Sequence, residues 1–253
     1  MSGECKVQND RLKLKAGPQR GHAQRSLITH HSSLITVRKL GLADYEPTWR
    51  AMQDFTARRT ADTPDELWLL QHPSVYTLGI AGKPEHLPRA DNGIPVIRTD
   101  RGGQITYHGP GQIVVYLLLD MRRRALSVRP LVRLMEHSAI SLLAEYGVTA
   151  AGCTEAPGVY VGAAKIAALG LRIKRDCCYH GLALNVDMDL SPFHAINPCG
   201  YPGLAVTQTR DLGILDPPDT VGEKLVHQLL HQLKTNTAIA SSEGTTAQLG
   251  AAC

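Results

Sequence analysis

The sequence predicts an α/β or α+β fold, a single domain in which one main mixed sheet is flanked by helices. The longest apolar run, Ile113–Leu119, is nearly continuous, which predicts a strand covered on both faces. Three further stretches show helical periodicity. Shorter apolar segments bounded by Pro, Gly, Asn or Asp are typical of strands: Leu67–Leu70, Val75–Leu78, Val96–Ile97, Gly158–Val161, Ile166–Ile173 and Gly181–Val186.

Each predicted helix has its own start or stop signal. Pro47 can open the first helix at its first turn, Pro130 begins the second, and Gly147 ends it. Thr220 with Glu223 fits a capping box at the start of the third. The expected inward faces are Trp49, Met52 and Phe55 in the first helix, Leu131, Leu134, Met135, Ser138 and Leu142 in the second, and Leu225, Leu229 and Leu233 in the third.

The composition is that of an ordinary globular protein. Of 253 residues, 43% are hydrophobic and 20% charged, enough to form a full core. Aromatic residues make up 5%, which argues against a stacking platform for carbohydrate or single-stranded nucleic acid. The net charge of +4 is too small to predict DNA binding. The sequence contains no apolar run of eighteen residues and no secretory signal, so we expect a cytoplasmic location without a membrane span.

Composition also predicts the domain boundaries. Residues 1–34 are polar and basic, which predicts a flexible extension, with a transit peptide as the alternative. Residues 35–237 form the predicted folded domain, and residues 238–253 a low-complexity tail. The six cysteines are expected to be reduced thiols, since a chain of this size needs no disulfides.

Polar side chains are concentrated around paired glycines between Arg101 and Gln112. Glycines let a ligand approach the main chain closely, and the many donors around them favour a binding role. A hairpin turn at His108-Gly109-Pro110-Gly111 is the alternative interpretation of the same stretch.

Two further segments carry reactive side chains. Lys165 lies between small residues and an apolar strand, so it is either a surface lysine at a strand end or an ammonium in a desolvated site. Cys199 lies in the loop Asn197-Pro198-Cys199-Gly200, where neighbouring Pro and Gly favour an exposed thiol. An ammonium nearby would lower the pKa of such a thiol and increase its thiolate fraction.

Other arrangements are weaker. Cys177, Cys178 and His180 could suggest a metal, but adjacent cysteines chelate one ion poorly and no further ligand pair completes a set. A Cys/His hydrolase could use Cys199 with His108, His180 or His194, and the sequence does not select among these histidines. We expect His72 to satisfy a strand end.

Taken together, these segments resemble the octanoyltransferases of lipoate biosynthesis. The resemblance covers about residues 35–235. It is carried by RGGQITYHGPGQIVVYLLLD from Arg101, APGVYVGAAKIAALGLRI from Ala156, HGLALNVDMDLSPFHAINPCGYPG from His180 and, more weakly, HPSVYTLGIAGKPEHL from His72.

The resemblance implies the catalytic fold of biotin and lipoate protein ligases for residues 35–237. It implies that Cys199 is the acyl-thioester nucleophile and that Lys165 lowers its pKa. The implied reaction transfers octanoyl from acyl carrier protein to a lysine of a lipoyl domain, in 2-oxo-acid dehydrogenases or the glycine-cleavage H protein. Because the donor is already a thioester, no ATP, cofactor or metal is implied. The implied acyl pocket comprises Arg101, Gly102, Gly103, Gln104, Ile105, Thr106, Tyr107, His108, Ala168, Leu169, Gly170, Gly181, Leu182 and Ala183.

Two rivals remain. An ATP-dependent lipoate or biotin ligase would share the fold but would need groups that form an acyl-adenylate. A catalytically inactive relative would bind carrier protein or lipoyl domains and would have no use for Lys165 or Cys199.

Overall fold

The computed structural model describes residues 27–28, 35–88, 92–153, 156–196 and 203–247, with the backbone alone for 27–28 and 236–247. The helices are α1 (Tyr45–Arg58), α2 (Val128–Glu145) and α3 (Pro218–Ala247). The strands are β1 (Leu27–Ile28), β2 (Ile35–Leu42), β3 (Asp65–Gln71), β4 (Val75–Leu78), β5 (Val96–Arg98), β6 (Ile105–His108), β7 (Gln112–Asp120), β8 (Ala151–Gly152), β9 (Gly158–Val161), β10 (Ala164–Lys174) and β11 (Cys177–Asn185).

Eight strands form one large mixed sheet in the order β1-β2-β3-β7-β11-β10-β9-β8. Among the described strands of this sheet, only β2 and β3 run parallel. The predicted run Ile113–Leu119 lies in β7, between β3 and β11, and every residue of it is buried. Its lack of alternation follows from its central place, because both faces of the strand are covered.

The two faces of the large sheet are covered by different helices. Leu117 of β7 packs with Leu131 of α2 and Leu225 of α3 on one face. Leu118 packs with Met52 of α1 on the other. The mixed sheet flanked by helices that the sequence predicts is therefore confirmed.

A second, three-stranded sheet, in the order β5-β4-β6, was not predicted. The turn at His108–Gly111 joins its strand β6 to β7 of the large sheet, so the hairpin interpretation is wrong. Gly111 has φ +86° and donates its N–H to Gln71 Oε1 at 2.8 Å. Its carbonyl accepts the N–H groups of Val186 and Asp187. The turn therefore fixes the position of the small sheet against the large one.

Most predicted elements are present with small shifts of their bounds. The first two helices begin a few residues before the prolines that predict them, and Gly147 follows α2 with φ +76°. Strand β11 begins four residues before the predicted Gly181. Its early part was missed because Cys177–His180 has no apolar pattern.

The prediction of a capping box formed by Thr220 and Glu223 at the third helix is wrong. Helix α3 begins at Pro218, so Thr220 lies inside its first turn and is not the capping residue. Proline suits the first helical position, where a backbone N–H would have no partner inside the helix. At its other end α3 continues to Ala247, past the boundary at residue 238 that composition predicts.

The predicted N-terminal extension lies mostly outside the described residues. Within it Leu27–Ile28 form β1, which pairs antiparallel with β2. Among the described helices, none is long and apolar enough to cross a membrane.

Candidate active site

A pocket lies where β10 and β11 meet the glycine-rich segment that precedes β6. It contains about 510 Å³ of space, including space open to solvent. Its wall from the large sheet is mostly small or apolar, whereas the opposite wall carries polar groups. The lining residues are Tyr45, Arg101, Gly103, Gln104, Ile105, Thr106, His108, Val114, Tyr116, Ala168, Leu169, Gly170, His180, Gly181, Leu182 and Ala183.

Twelve of the fourteen predicted pocket residues line this pocket, and Gly102 and Tyr107 do not. Gly102 donates its N–H to the Leu171 carbonyl at 2.9 Å, which attaches the glycine-rich segment to β10. Tyr107 points into the core of the small sheet, where its ring lies 5.5 Å from that of Phe193. Thr106 and His108, its neighbours along β6, line the pocket from the opposite face of the strand. That the twelve bind substrate stays a prediction.

Arg101 is a buried cation whose guanidinium holds the segment in shape. It donates to the carbonyls of Thr77 at 2.5 Å, Gln104 at 2.8 Å and Gly102 at 2.9 Å. It also bonds Thr77 Oγ1. A guanidinium has five donors in a rigid fork, which suits a segment with several inward-facing carbonyls.

His108 lines the pocket and His72 lies behind it; both are buried, and burial lowers the pKa of both. The pKa of His72 falls to about 4 and that of His108 to about 3. His72 Nδ1 donates to the Ala43 carbonyl at 2.6 Å, so its Nε2 accepts from Tyr116 Oη at 2.7 Å. His108 Nδ1 donates to Gln112 Oε1 at 2.6 Å. Ala43 directly follows β2 and His72 directly follows β3, so the prediction that His72 satisfies a strand end is confirmed.

Four lining residues were missed by sequence reasoning as pocket residues: Tyr45, Val114, Tyr116 and His180. Val114 and Tyr116 share a face of β7, and a buried strand gives no sign of which face meets a pocket. Tyr45 is the first residue of α1 and is far in sequence from the other lining residues. No local pattern connects it to the glycine-rich segment.

Lys165 is the second residue of β10 and only 4% exposed, so the interpretation as a surface lysine is wrong. Its Nζ donates to the Pro157 carbonyl at 3.2 Å and lies 5.2 Å from the centre of the Tyr160 ring. Its backbone N–H donates to Ala205 at 2.8 Å, and its carbonyl accepts from Thr207 at 3.0 Å. The chain that follows Cys199 therefore pairs with Lys165. Cys199 itself lies outside the described residues.

The family model "Lipoyl protein ligase A/B catalytic domain" matches residues 44–230, which include the pocket, Lys165 and Cys199. The chain belongs to the lipoyl protein ligase A/B catalytic-domain family.

Curated relatives in this family carry the name octanoyltransferase. One from Dechloromonas aromatica is 64% identical over 197 residues, covering 78% of this chain and 96% of its own. One from Nitrosospira multiformis is 65% identical over 200 residues, covering 79% and 93%. The matched lengths include nearly all of each relative.

Solved structures show the same fold as this family member. A lipoate-protein ligase A bound with ATP aligns with a TM-score of 0.60 and 15% identity, over 81% of this chain and 92% of its own. A bipartite lipoate protein ligase from Thermoplasma acidophilum aligns with a TM-score of 0.58 and 16% identity, over 83% and 91%. The ligase-like catalytic fold implied by the resemblance is therefore confirmed.

The structure does not support a metal site at Cys177, Cys178 and His180. Cys177 and Cys178 are neighbours in β11, so their side chains face opposite sides of the sheet. Cys178 donates to the Leu117 carbonyl, and burial raises the pKa of its thiol to about 12. In the part of the chain that the structure describes, no group of three or more His, Cys, Asp and Glu residues could hold a metal. The described cysteines, Cys153, Cys177 and Cys178, are free thiols.

Proposed function

We propose that Cys199 and Lys165 transfer an octanoyl group from acyl carrier protein to a lysine of a lipoyl domain, through a thioester on Cys199. A family member that is 64–65% identical to octanoyltransferases over nearly their whole length is itself an octanoyltransferase. The proposal concerns the residues and partners of that activity. The observation that carries it is the buried ammonium of Lys165, whose backbone pairs with the chain just after Cys199.

In the first step the Cys199 thiolate attacks the carbonyl carbon of the octanoyl thioester. A new C–S bond forms, the C–S bond to the carrier thiol breaks, and the carrier thiol takes up the proton that Cys199 gave up. The exchange of one thioester for another is nearly isoenergetic. The role of the protein is therefore to supply thiolate, which a cation in a desolvated place favours.

In the second step the neutral amine of the acceptor lysine attacks the Cys199 thioester. A C–N bond forms, the C–S bond to Cys199 breaks, and the amine proton passes by way of Lys165 to the leaving sulfur. The amide product is more stable than the thioester, so this step runs downhill. Neither step requires a nucleotide.

The pocket supports the choice of an acyl substrate. Ala168 and Gly170 of β10, the strand that carries Lys165, and Gly181 and Ala183 of β11 form a pocket floor of small residues. An alkyl chain can lie on this floor with its carbonyl end towards Lys165. An apolar pocket with few convergent polar groups is typical of small-molecule sites.

The covalent intermediate is tested by intact-protein mass spectrometry after mixing with octanoyl-acyl carrier protein. We expect the mass of one octanoyl group to be added to the native protein and to Cys153→Ser, a matched thiol control. Cys199→Ser should stay unmodified. An adduct on Cys199→Ser would contradict the proposal.

The role of Lys165 is tested by iodoacetamide alkylation of Cys199 across pH, followed by peptide mass spectrometry. Removing the ammonium in Lys165→Met should move the midpoint of alkylation to higher pH, towards the ordinary thiol value of about 8.5. Lys174→Met, an exposed lysine on the same strand, should leave the midpoint unchanged. Equal midpoints in the native protein and Lys165→Met would show that Lys165 does not lower the pKa of Cys199.

The ATP-dependent rival is tested with free octanoate, ATP and a lipoyl domain, without carrier protein. We expect no octanoylated domain, and efficient product formation would favour the ligase. The proposed partners remain octanoyl-acyl carrier protein and the lipoyl domains of 2-oxo-acid dehydrogenases and the glycine-cleavage H protein. The cytoplasmic location stays a prediction.

A further inference from the structure

His180 has a backbone conformation that its place in the sheet does not explain. It lies in the middle of β11 with φ +63°. The other described non-glycine residues with positive φ, Ala125, Arg175 and Asp176, all lie in turns. Such a conformation is costly for a residue with a Cβ atom, and where it persists it often has a functional reason.

The conformation changes the face of the sheet to which the side chain points. Along β11, Cys178 and Leu182 pack in the core under α2 and α3, whereas Tyr179 and Ala183 pack on the α1 side. Strict alternation would place His180 with Cys178 and Leu182. Its ring instead stacks on Tyr179 at 5.1 Å and lies 5.9 Å from that of Tyr116, on the pocket side.

Asp100 holds the ring there. His180 Nε2 donates to Asp100 Oδ1 at 3.1 Å, and the same carboxylate accepts from Trp49 Nε1 at 2.7 Å and Gln53 Nε2 at 3.1 Å. The Tyr179 hydroxyl donates to it as well. Burial raises the pKa of Asp100, but these hydrogen bonds outweigh it and keep the pKa well below its usual range. The carboxylate therefore stays ionised and fixes the ring against α1.

The position of His180 relative to the pocket follows from the pairing of β10 with β11. The pocket lining of β10 ends at Gly170, and His180 pairs with the next residue, Leu171. Gly102 is hydrogen-bonded to the Leu171 carbonyl, so the glycine-rich segment closes over the strand here. Lys165 begins farther back along β10, but its side chain extends towards the pocket: a Cβ atom on Gly158 would lie within 3.1 Å of its Nζ, and Gly158 pairs with Ala168. Ala168 is three residues before Leu171, about 10 Å at the usual rise per residue, a span comparable with an extended eight-carbon chain. His180 is therefore at the end of the pocket remote from Lys165.

The remote end is narrow as well as closed. A Cβ atom on Gly170 would come within 3.2 Å of Arg101 Cδ and 3.3 Å of the Gly102 carbonyl oxygen. Burial lowers the pKa of His180, with Asp100 opposing that shift, so the ring is neutral and an apolar chain end can lie against it. Both carboxylate oxygens of Asp100 already accept hydrogen bonds from the protein, so they need no polar group from a ligand.

We infer that His180, positioned by Asp100, is the stop that sets the length of the acyl chain this enzyme accepts. The inference rests on the proposed function, in which the acyl carbonyl lies near Lys165. With the carbonyl placed there, the terminal methyl group of a medium chain points along β10 towards His180. A longer chain would have to displace the ring from Asp100.

His180→Gly is the most direct test, because glycine adopts φ +63° without strain and removes the ring. Acyl carrier protein loaded with hexanoyl, octanoyl, decanoyl or dodecanoyl is the substrate, and kcat/KM is measured for each chain. We expect the decanoyl-to-octanoyl ratio of kcat/KM to rise about tenfold or more, since a pocket that excludes one methylene discriminates by about that factor. An unchanged ratio in a folded variant would overturn the inference.

Two further variants keep the test decisive. Asparagine tolerates the left-handed region and is shorter than histidine, so His180→Asn should raise the same ratio to a smaller extent and replaces the glycine variant if that one does not fold. Gly170→Ala narrows the same end and should shift the preference towards hexanoyl. Lys174→Ala, exposed at the far end of the same hairpin, should leave the ratios unchanged.

Failure of this inference can be distinguished from failure of the proposed function. If the native protein forms no acyl adduct on Cys199, the proposed function fails. If the native protein and the His180 variants form the adduct with the same preference among chain lengths, only the inference fails.

Discussion

At the scale of single residues, burial sets the protonation of His72 and His108 beside the pocket. His72 is fully buried, and both of its ring nitrogens have hydrogen-bond partners that suit the neutral tautomer. A second proton would charge the ring inside an apolar wall. The low pKa of His72 is therefore a property of its place in the fold, and it links stability to pH.

The free energy of unfolding should fall between pH 7.5 and pH 5. Above about pH 6.5 the His72 ring is neutral in both states and adds no pH dependence. Between 6.5 and about 4 the unfolded chain binds a proton that the folded chain excludes, so stability decreases as the pH falls. For His72 we expect a loss of about 2 kcal/mol between pH 7.5 and pH 5, measured by urea unfolding.

His72→Gln should lack the part of the acid-induced loss of stability that is due to His72, although we expect this variant to be less stable than the native protein at pH 7.5. His194→Gln, an exposed histidine, should keep the full dependence. If His72→Gln loses as much stability as the native protein on acidification, the linkage to His72 is wrong.

At the scale of elements, the turn between β6 and β7 decides how the two sheets meet. Gly111 supplies both a left-handed φ and the absence of a side chain at a place where the backbone of Asp187 comes close. The sequence indicates a turn there, because Gly-Pro-Gly is a turn signal. It does not indicate that the strands on either side belong to different sheets.

Gly111→Ala should destabilise the protein by about 3 kcal/mol or more. The new Cβ atom would overlap the Asp187 carbonyl, and that backbone atom has little freedom to move. Gly147→Ala is the matched control, since Gly147 has φ +76° with open space around it, and about 1 kcal/mol is expected there. Chemical unfolding of both variants measures the difference, and equal losses would mean that only the dihedral angle matters.

At the scale of the whole molecule, one buried carboxylate connects three parts of the chain. Asp65 begins β3 and is fully buried. It forms ion pairs with Arg59 after α1, with Arg123 at 2.7 Å, and with Arg124 at 2.5 Å. The last two lie in the connection between β7 and α2, so the cluster attaches the end of α1 and that connection to the start of β3.

Asp65→Asn should cost about 3–5 kcal/mol of stability, because it leaves buried guanidinium groups without their counter-charge. Asp187→Asn, which removes an exposed partner of Arg210, should change stability little. Urea unfolding at pH 7.5 compares the two. A small effect of Asp65→Asn would show that water replaces the carboxylate at no cost.

Most of the fold follows from the sequence because periodicity is a local property. The face of α1 that carries Met52 and the continuous run of β7 are both visible in a few consecutive residues. The start of α3 at Pro218 was missed, since a capping box and a proline at the first position compete as signals. The early part of β11 has no apolar pattern at all.

The sequence by itself determined most of the helices and strands, although not β2 or β8, together with the family and twelve residues that line the pocket, because contiguous residues carry these signals. The tertiary structure alone decided that β6 leaves the large sheet, that Tyr45 and Tyr116 join the pocket, and that His180 faces it. The physical reason is that a pocket forms where segments distant along the chain meet. One left-handed residue, His180, also departs from the alternation by which the face of a side chain is predicted.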